Sequence, residues 1–165
     1  METKMKKRAK KPSESAVEMR EMVMPSHTNP QNTIFGGTVM SWIDIAAAMA
    51  AARHCGRPVV TAHVDDIDFM APIKVGYHVL IQASLNYVGT TSMIVGVKVT
   101  SENPYTGEIR TTTKAYLTFV ALDDLGKPVE VPELLPETED EKRRFDNAKK
   151  RVELKKEVRR TLKKR

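Results

Sequence analysis

The residue best placed to do chemistry is Asp44, a carboxylate inside an otherwise apolar segment, with Met40, Ala47 and Ala48 at helical neighbour spacing. Burial there would disfavour its charged form and make it a stronger base. The competing reading is a carboxylate on a narrow wet face or bonded to a backbone donor. Gly36 and Gly37 open the same segment. At a helix entrance, unpaired N–H groups and the positive end of the dipole stabilise an oxyanion, although a glycine pair equally serves a tight turn. Asp44 lies seven residues beyond Gly37, about two helical turns, so the spacing predicts that both face one bound carbonyl. Asn29, in the preceding loop, can supply an amide to position water or substrate, or can simply shape the turn before Pro30.

Two other clusters invite chemistry and fail on spacing. Cys55 follows His54, but adjacent helical residues do not face each other, so no thiol–imidazole pair is expected. Asp65, Asp66 and Asp68 lack clustered histidines and the calcium-loop pattern. No metal is expected, and the acidic run is assigned to a strand bulge and pocket polarity.

The elements that must position these residues follow from periodicity. Val17 to Met24 alternates and ends at Pro25, which predicts a first strand. Ser26 to Thr33 is dense in turn formers, and Thr38 to Cys55 runs without Pro or Gly until Gly56 and Pro58. That segment predicts one helix, apolar nearly all round and therefore buried on several sides. Its alanines, Ala46 to Ala48 and Ala50 to Ala52, keep it thin enough for a sheet to curl around it.

From Val59 the period becomes two. Val60, Ala62 and Val64 form one stripe, after which Ile67 and Phe69 take the other phase, so a bulge is expected near Asp65-Asp66. Val79, Ile81, Ala83, Leu85 and Tyr87 form a second stripe, Met93, Val95, Val97 and Val99 a third, and Thr111, Thr113, Ala115, Leu117, Phe119 and Ala121 a fourth. Short connections at Gly89-Thr90-Thr91 and Asn103 to Gly107 pair the last three strands antiparallel in order. One buried helix after the first strand of an antiparallel sheet gives an α+β architecture of hotdog type. Edge-to-edge dimerisation would cover an exposed strand edge.

The chain has 165 residues and a formal net charge of +6, enough for one core. The charge sits at the ends: residues 1–12 carry +5 and residues 137–165 carry +6, leaving residues 13–136 at −5. Basic ends of this kind are solvated arms, and nucleic-acid binding is not expected. The organisation predicted is a disordered basic arm at 1–12, one domain at 13–136 and a charged amphipathic helix at 137–165. No apolar stretch is long enough to span a bilayer. The single cysteine fits a reducing compartment, so a cytoplasmic protein is expected.

Several motifs converge on a family. Met24-Pro25-Ser26-His27-Thr28-Asn29, Ile34-Phe35-Gly36-Gly37 and Met40-Ser41-Trp42-Ile43-Asp44 resemble the signature of the hotdog acyl-CoA hydrolases, both bacterial and animal cytosolic. Arg53-His54-Cys55, Val60-Thr61-Ala62, Asp65 to Phe69, Pro72 to Gly76 and Ser92-Met93 continue it, from about Val17 to Pro132. The resemblance implies a fatty acyl-CoA thioesterase without a separate cofactor, CoA being part of substrate and product. It maps Asp44 and Asn29 onto the family's catalytic pair, with sites between protomers of a dimer and a trimer of dimers as the assembly. Thr61, Ala62, His63, Val64, Thr91, Ser92 and Met93 would then hold CoA, with Arg144, Lys150 and Arg151 as candidates for its phosphates. Asn32 stands where many relatives carry Gly, and Asn tolerates positive φ. Water activated by Asp44 and a covalent anhydride through Asp44 both stay open at this level. A non-catalytic acyl-CoA-binding or regulatory hotdog protein is the alternative function; dehydration of hydroxyacyl thioesters is disfavoured, since the usual His-containing helix motif is missing.

Overall fold

In the computed structural model, which describes residues 8–163, Gly36–Cys55 form one helix, α1, about 30 Å long at 1.5 Å per residue. It begins two residues before the expected Thr38. Glycine costs little there, because the first N–H groups of a helix have no intrahelical partner to lose. Gly56 ends the helix at φ +62°, its N–H donating to the Ala52 carbonyl at 2.8 Å.

Five antiparallel strands, β1 (Val17–Met22), β2 (Val59–Phe69), β3 (His78–Val88), β4 (Ser92–Glu102) and β5 (Ile109–Ala121), stand in the order β1-β3-β4-β5-β2. The core lies between α1 and one face of this sheet. Ala46, Ala47, Ala50 and Ala51 are fully buried there, with Ile81, Val95, Leu117 and Phe119 from the strands. β1 stops at Met22 rather than Met24, because the Val23 N–H leaves the ladder for the Tyr77 carbonyl at 2.9 Å and Pro25–His27 form a 3-10 turn.

Register shifts redirect three of the expected stripes. In β2 the shifts fall between Thr61 and His63 and between Val64 and Asp66, so a bulge lies near Asp65 as expected and another at Ala62. Val60 pairs with Val120, whereas Thr61 pairs with buried Phe119 and Val64 with buried Leu117. Opposed residues share a face, so Thr61 and Val64 face the helix and Val60 faces away. In β3 a shift at Asn86 turns Tyr87 outward, and in β5 a shift beside Thr112 does the same to Thr111.

A second helix, α2 (Glu139–Lys163), lies across the outer face of the sheet. It starts at a reciprocal cap: Thr138 Oγ1 accepts from the Glu141 N–H at 3.1 Å, and Glu141 Oε2 accepts from the Thr138 N–H at 3.1 Å. Ala148 is buried, Phe145 meets the Tyr87 ring at 5.1 Å, and Lys155 Nζ donates to Asp65 Oδ1 at 2.6 Å. The basic arm is not wholly free. Lys10 bridges Leu134, and its ammonium donates to the Arg53 carbonyl at 2.9 Å, near the negative end of α1. The rest of the arm, residues 1–7, lies outside the described residues.

The 26–33 loop closes on itself. The Asn29 N–H donates to the Thr33 carbonyl at 2.9 Å, and the Asn32 N–H donates to the Asn29 carbonyl at 3.0 Å. Asn32 is the one non-glycine residue at positive φ among the described residues, at +58°, which is the conformation that a glycine would take without strain. We expect Asn32→Gly to be neutral within about 0.5 kcal/mol and Asn32→Val to destabilise by about 1–2 kcal/mol, read by thermal denaturation.

His54 is fully buried, its Nε2–H donating to the Pro132 carbonyl at 2.9 Å while Nδ1 meets no partner among the described residues. Burial holds its pKa below the usual 6.5. The folded state therefore binds fewer protons than the unfolded one once the pH falls below that value, and stability present above it is lost on acidification. Melting temperature should drop between pH 7 and pH 5.5, and His54→Gln should flatten that slope.

Candidate active site

Asp44 sits midway along α1, half-buried rather than buried, beside exposed Met40, Ile45 and Met49. The expectation of a carboxylate sealed in apolar surroundings is therefore not met. Thr61 Oγ1 donates to Asp44 Oδ1 at 2.7 Å. The Ala62 bulge makes this contact possible by leaving Thr61 on the helix side of the edge strand. Oδ2 stays open to a water or a substrate.

At the start of α1, Phe35 is the N-cap in extended conformation, and its side chain caps nothing. The Gly36 and Gly37 N–H groups meet no acceptor among the described residues, which leaves donors at the positive end of a twenty-residue helix. A side chain at Gly37 would run into the Phe35 ring, so glycine is what lets that ring lie against the helix entrance. Beside it is an apolar cleft of about 320 Å³ lined by Ile34, Gly36, Val39, Phe69, Met70 and Ile73 among others. The helix separates its own two chemical ends, however. Seven residues at 1.5 Å put Gly37 and Asp44 about 10 Å apart along the axis, so one carbonyl cannot touch both within a single copy.

Asn29 is half-buried in its loop. Its Oδ1 accepts from the Gln31 N–H at 3.0 Å and the Thr33 N–H at 3.3 Å, and its Nδ2 donates to Thr33 Oγ1 at 3.1 Å. These bonds shape the loop, and the structure does not bring Asn29 to Asp44 in one copy. The loop is tied to α1 by the Phe35 N–H, which donates to the His27 carbonyl at 2.8 Å, and by the His27 ring, edge-on to Trp42 at 5.2 Å. The sequence motif contained both residues, but nothing in their spacing revealed that they clamp the loop.

The residues expected to hold CoA separate into groups. Ala62, His63 and Val64 are exposed on the edge strand, and His63 Nε2 lies 3.6 Å from Asp65 Oδ1. Thr91 and Ser92 are half-buried at the β3–β4 hairpin. Met93 is fully buried in the core, so its backbone, and not its side chain, is what it can offer to CoA. Arg144 pairs with Asp140, while Arg151 reaches Asp66 at 3.3 Å and stacks over Tyr116 at 4.2 Å. Lys150 is exposed. All three basic residues belong to α2, on the sheet face away from Asp44. The acidic run of β2 serves α2: Asp65 binds Lys155 and Thr118, and Asp66 binds Arg151.

Comparisons with known proteins agree with this architecture. The thioesterase superfamily model matches residues 31–108, which include Gly37, Asp44 and Thr61. The chain is 49% identical over 128 residues to the uncharacterized acyl-CoA thioester hydrolase YkhA of Bacillus subtilis, covering 78% of this chain and 74% of that protein. An acyl-CoA hydrolase of Staphylococcus aureus, solved with butyryl coenzyme A, coenzyme A and coenzyme A disulfide, superposes with a TM-score of 0.87 at 42% identity, over 94% of this chain and 95% of that one. The same hydrolase has also been solved with single alanine substitutions of an asparagine, an aspartate and a threonine. An apo-hexameric acyl-CoA thioesterase superposes with a TM-score of 0.89 at 40% identity, over 92% of this chain and 97% of that one. Among the described residues no helix is long and apolar enough to cross a membrane. With its helix inside a five-stranded antiparallel sheet and 49% identity over 128 aligned residues to a bacterial relative, the chain belongs to the hotdog-fold acyl-CoA thioester hydrolases of the thioesterase superfamily.

Proposed function

We propose that the protein hydrolyses fatty acyl-CoA to free acid and CoA at a site shared by two copies of the chain. The observation that carries this reading is the Asp44 carboxylate, fixed by Thr61 at one oxygen and open at the other, on a helix whose own oxyanion donors lie too far away to serve it. In a two-fold dimer joined along the β2 edges, the α1 helices run antiparallel. The Gly37 end of one copy then lies beside Asp44 of its partner. Exposed Met40, Ile45 and Met49 on α1, and Val60 and Val64 on β2, supply apolar surface for such a contact.

Asp44 takes a proton from water as that water attacks the thioester carbonyl. The Gly37 N–H holds the developing oxyanion, and Asn29 positions the water or the thioester. The tetrahedral intermediate then collapses, the C–S bond breaks, and the CoA thiolate takes up the proton. The acyl chain enters the apolar cleft beside Gly36. CoA runs along Ala62 to Val64 and the Thr91-Ser92 hairpin, with Lys150 reaching toward its phosphates. The bound CoA species and the alanine variants of the S. aureus hydrolase support this assignment, since asparagine, aspartate and threonine are the residue types of Asn29, Asp44 and Thr61. A trimer of dimers is the assembly proposed, supported by the hexameric relative. A cytoplasmic setting fits a chain whose single cysteine, Cys55, is buried.

The test is free-thiol release from acetyl-, hexanoyl- and palmitoyl-CoA. Wild type should turn over, Asp44→Asn should lose at least about a hundredfold in kcat, and Thr61→Val about tenfold, with Thr61→Ser close to wild type. An Asp44→Asn variant that matches wild type would rule out the base. Tight CoA binding without thiol release from any of the three would make the protein a non-catalytic acyl-CoA binder. Oxygen-18 left out of the Asp44 carboxylate after a single turnover in labelled water would separate general-base attack from a covalent anhydride.

A further inference from the structure

On the sheet face opposite Asp44, one row of side chains crosses all five strands. Glu18, Gln82, Lys98, Lys114 and Asp68 are successive register partners and so share the outer face. Glu18 Oε1 accepts from Gln82 Nε2 at 2.8 Å. Lys98 and Lys114 stand directly opposite each other, and neither has an ion-pair partner within 4.0 Å among the described residues. Like charges in that relation repel, and an anion between them removes the cost.

The N-terminal half of α2 overhangs this row and forms with it an open cavity of about 600 Å³, to which it adds Glu141, Arg143, Arg144 and Asn147. That volume suits a small organic molecule. Two carboxylates also line it and are already hydrogen-bonded, Glu18 by Gln82 of the same lining and Glu141 by the N–H groups of Glu137 and Thr138 at the start of α2, against the four cations Lys98, Lys114, Arg143 and Arg144. Arg143 and Arg144 both lean on Asp140, which is outside the lining, and each guanidinium keeps further donors.

The cavity also contains Asn86, the bulge residue of β3. Its side chain is only 5% exposed, yet its amide makes no hydrogen bond among the described residues. The amide rests on Gly96, where any Cβ would overlap it. Its amide nitrogen and oxygen are not sealed from solvent, so they stand ready to pair with a ligand that carries donor and acceptor groups.

We propose that this cavity is a second ligand site, separate from the thioester site, that binds a small organic polyphosphate. Its phosphates lie among Lys98, Lys114, Arg143 and Arg144, and the edge of its ring or sugar meets the Asn86 amide. The inference is independent of the hydrolytic reading.

Calorimetric titration of the full chain with ATP and with inorganic tripolyphosphate tests it, using Lys98→Gln/Lys114→Gln and Asn86→Ala variants whose melting temperature and elution volume match wild type. Both probes should bind wild type. The lysine pair variant should weaken both by at least about tenfold, while Asn86→Ala should weaken ATP and leave tripolyphosphate unchanged. Affinity for ATP should persist when the protein is first saturated with CoA. Absence of binding by both probes, unchanged affinity in the lysine pair variant, or complete displacement of ATP by CoA would each overturn the proposal.

Discussion

The constraint on which the rest depends is the distance between α1 and the sheet. Four fully buried alanines, Ala46, Ala47, Ala50 and Ala51, form the middle of the buried face of α1, between Val39, Trp42 and Ile43 on one side and His54 and Cys55 on the other, and a methyl is the smallest side chain that still excludes water from a helix–sheet seam. Larger residues there would push the strands outward at the expense of packing. Because the seam is thin, edge strand β2 passes close enough for the Thr61 hydroxyl to reach Asp44 at 2.7 Å. The same seam leaves the far side of α1, with Met40, Ile45 and Met49, outside the core.

What remains unfinished in one copy is informative. The entrance of α1 has no side-chain cap, the β2 edge is unpaired within the sheet, and Phe35, Met40, Ile45, Phe69 and Met70 are all exposed. A helix of fixed rise cannot bring its own first-turn donors to a carboxylate two turns later. The second copy proposed above, antiparallel across the β2 edge, would answer all of these deficits together. The outer face is different in kind: α2 covers it through a capped start, the Phe145–Tyr87 contact and the Lys155–Asp65 pair.

Much of this was legible from residue order. The alanine-rich helix, its Gly56 stop, the antiparallel run of the last three strands and the tolerance of Asn32 for positive φ all follow from local rules. The bulges did not. One at Ala62, one at Asn86 and one beside Thr112 each reverse the phase of a strand, and alternation of apolar residues carries no mark of an extra residue when the side chains around it are of mixed character. That is why the contact of Thr61 with Asp44 went unread, and why Tyr87 and Thr111 read as core. The core position of the Met93 side chain went unread for a related reason. A motif names residues that stay together in sequence, while the pleat sends Ser92 and Met93 to opposite faces. Helix burial was overestimated at Asp44 because an apolar sequence does not distinguish surface covered by the chain's own sheet from surface awaiting another copy.

The central claim is that one active site takes Asp44 from one copy and Asn29 with Gly37 from another. Mixing subunits tests it directly: Asp44→Ala and Asn29→Ala chains, each inactive alone, are denatured together in equal amounts, refolded, and assayed for thiol release. If the site is shared, half of the dimers are mixed and one of their two sites has both residues intact, so activity should return to about a quarter of wild type. If the mixture stays as inactive as its components while mixed dimers are shown to form, Asp44 and Asn29 act within one chain and the shared site is wrong.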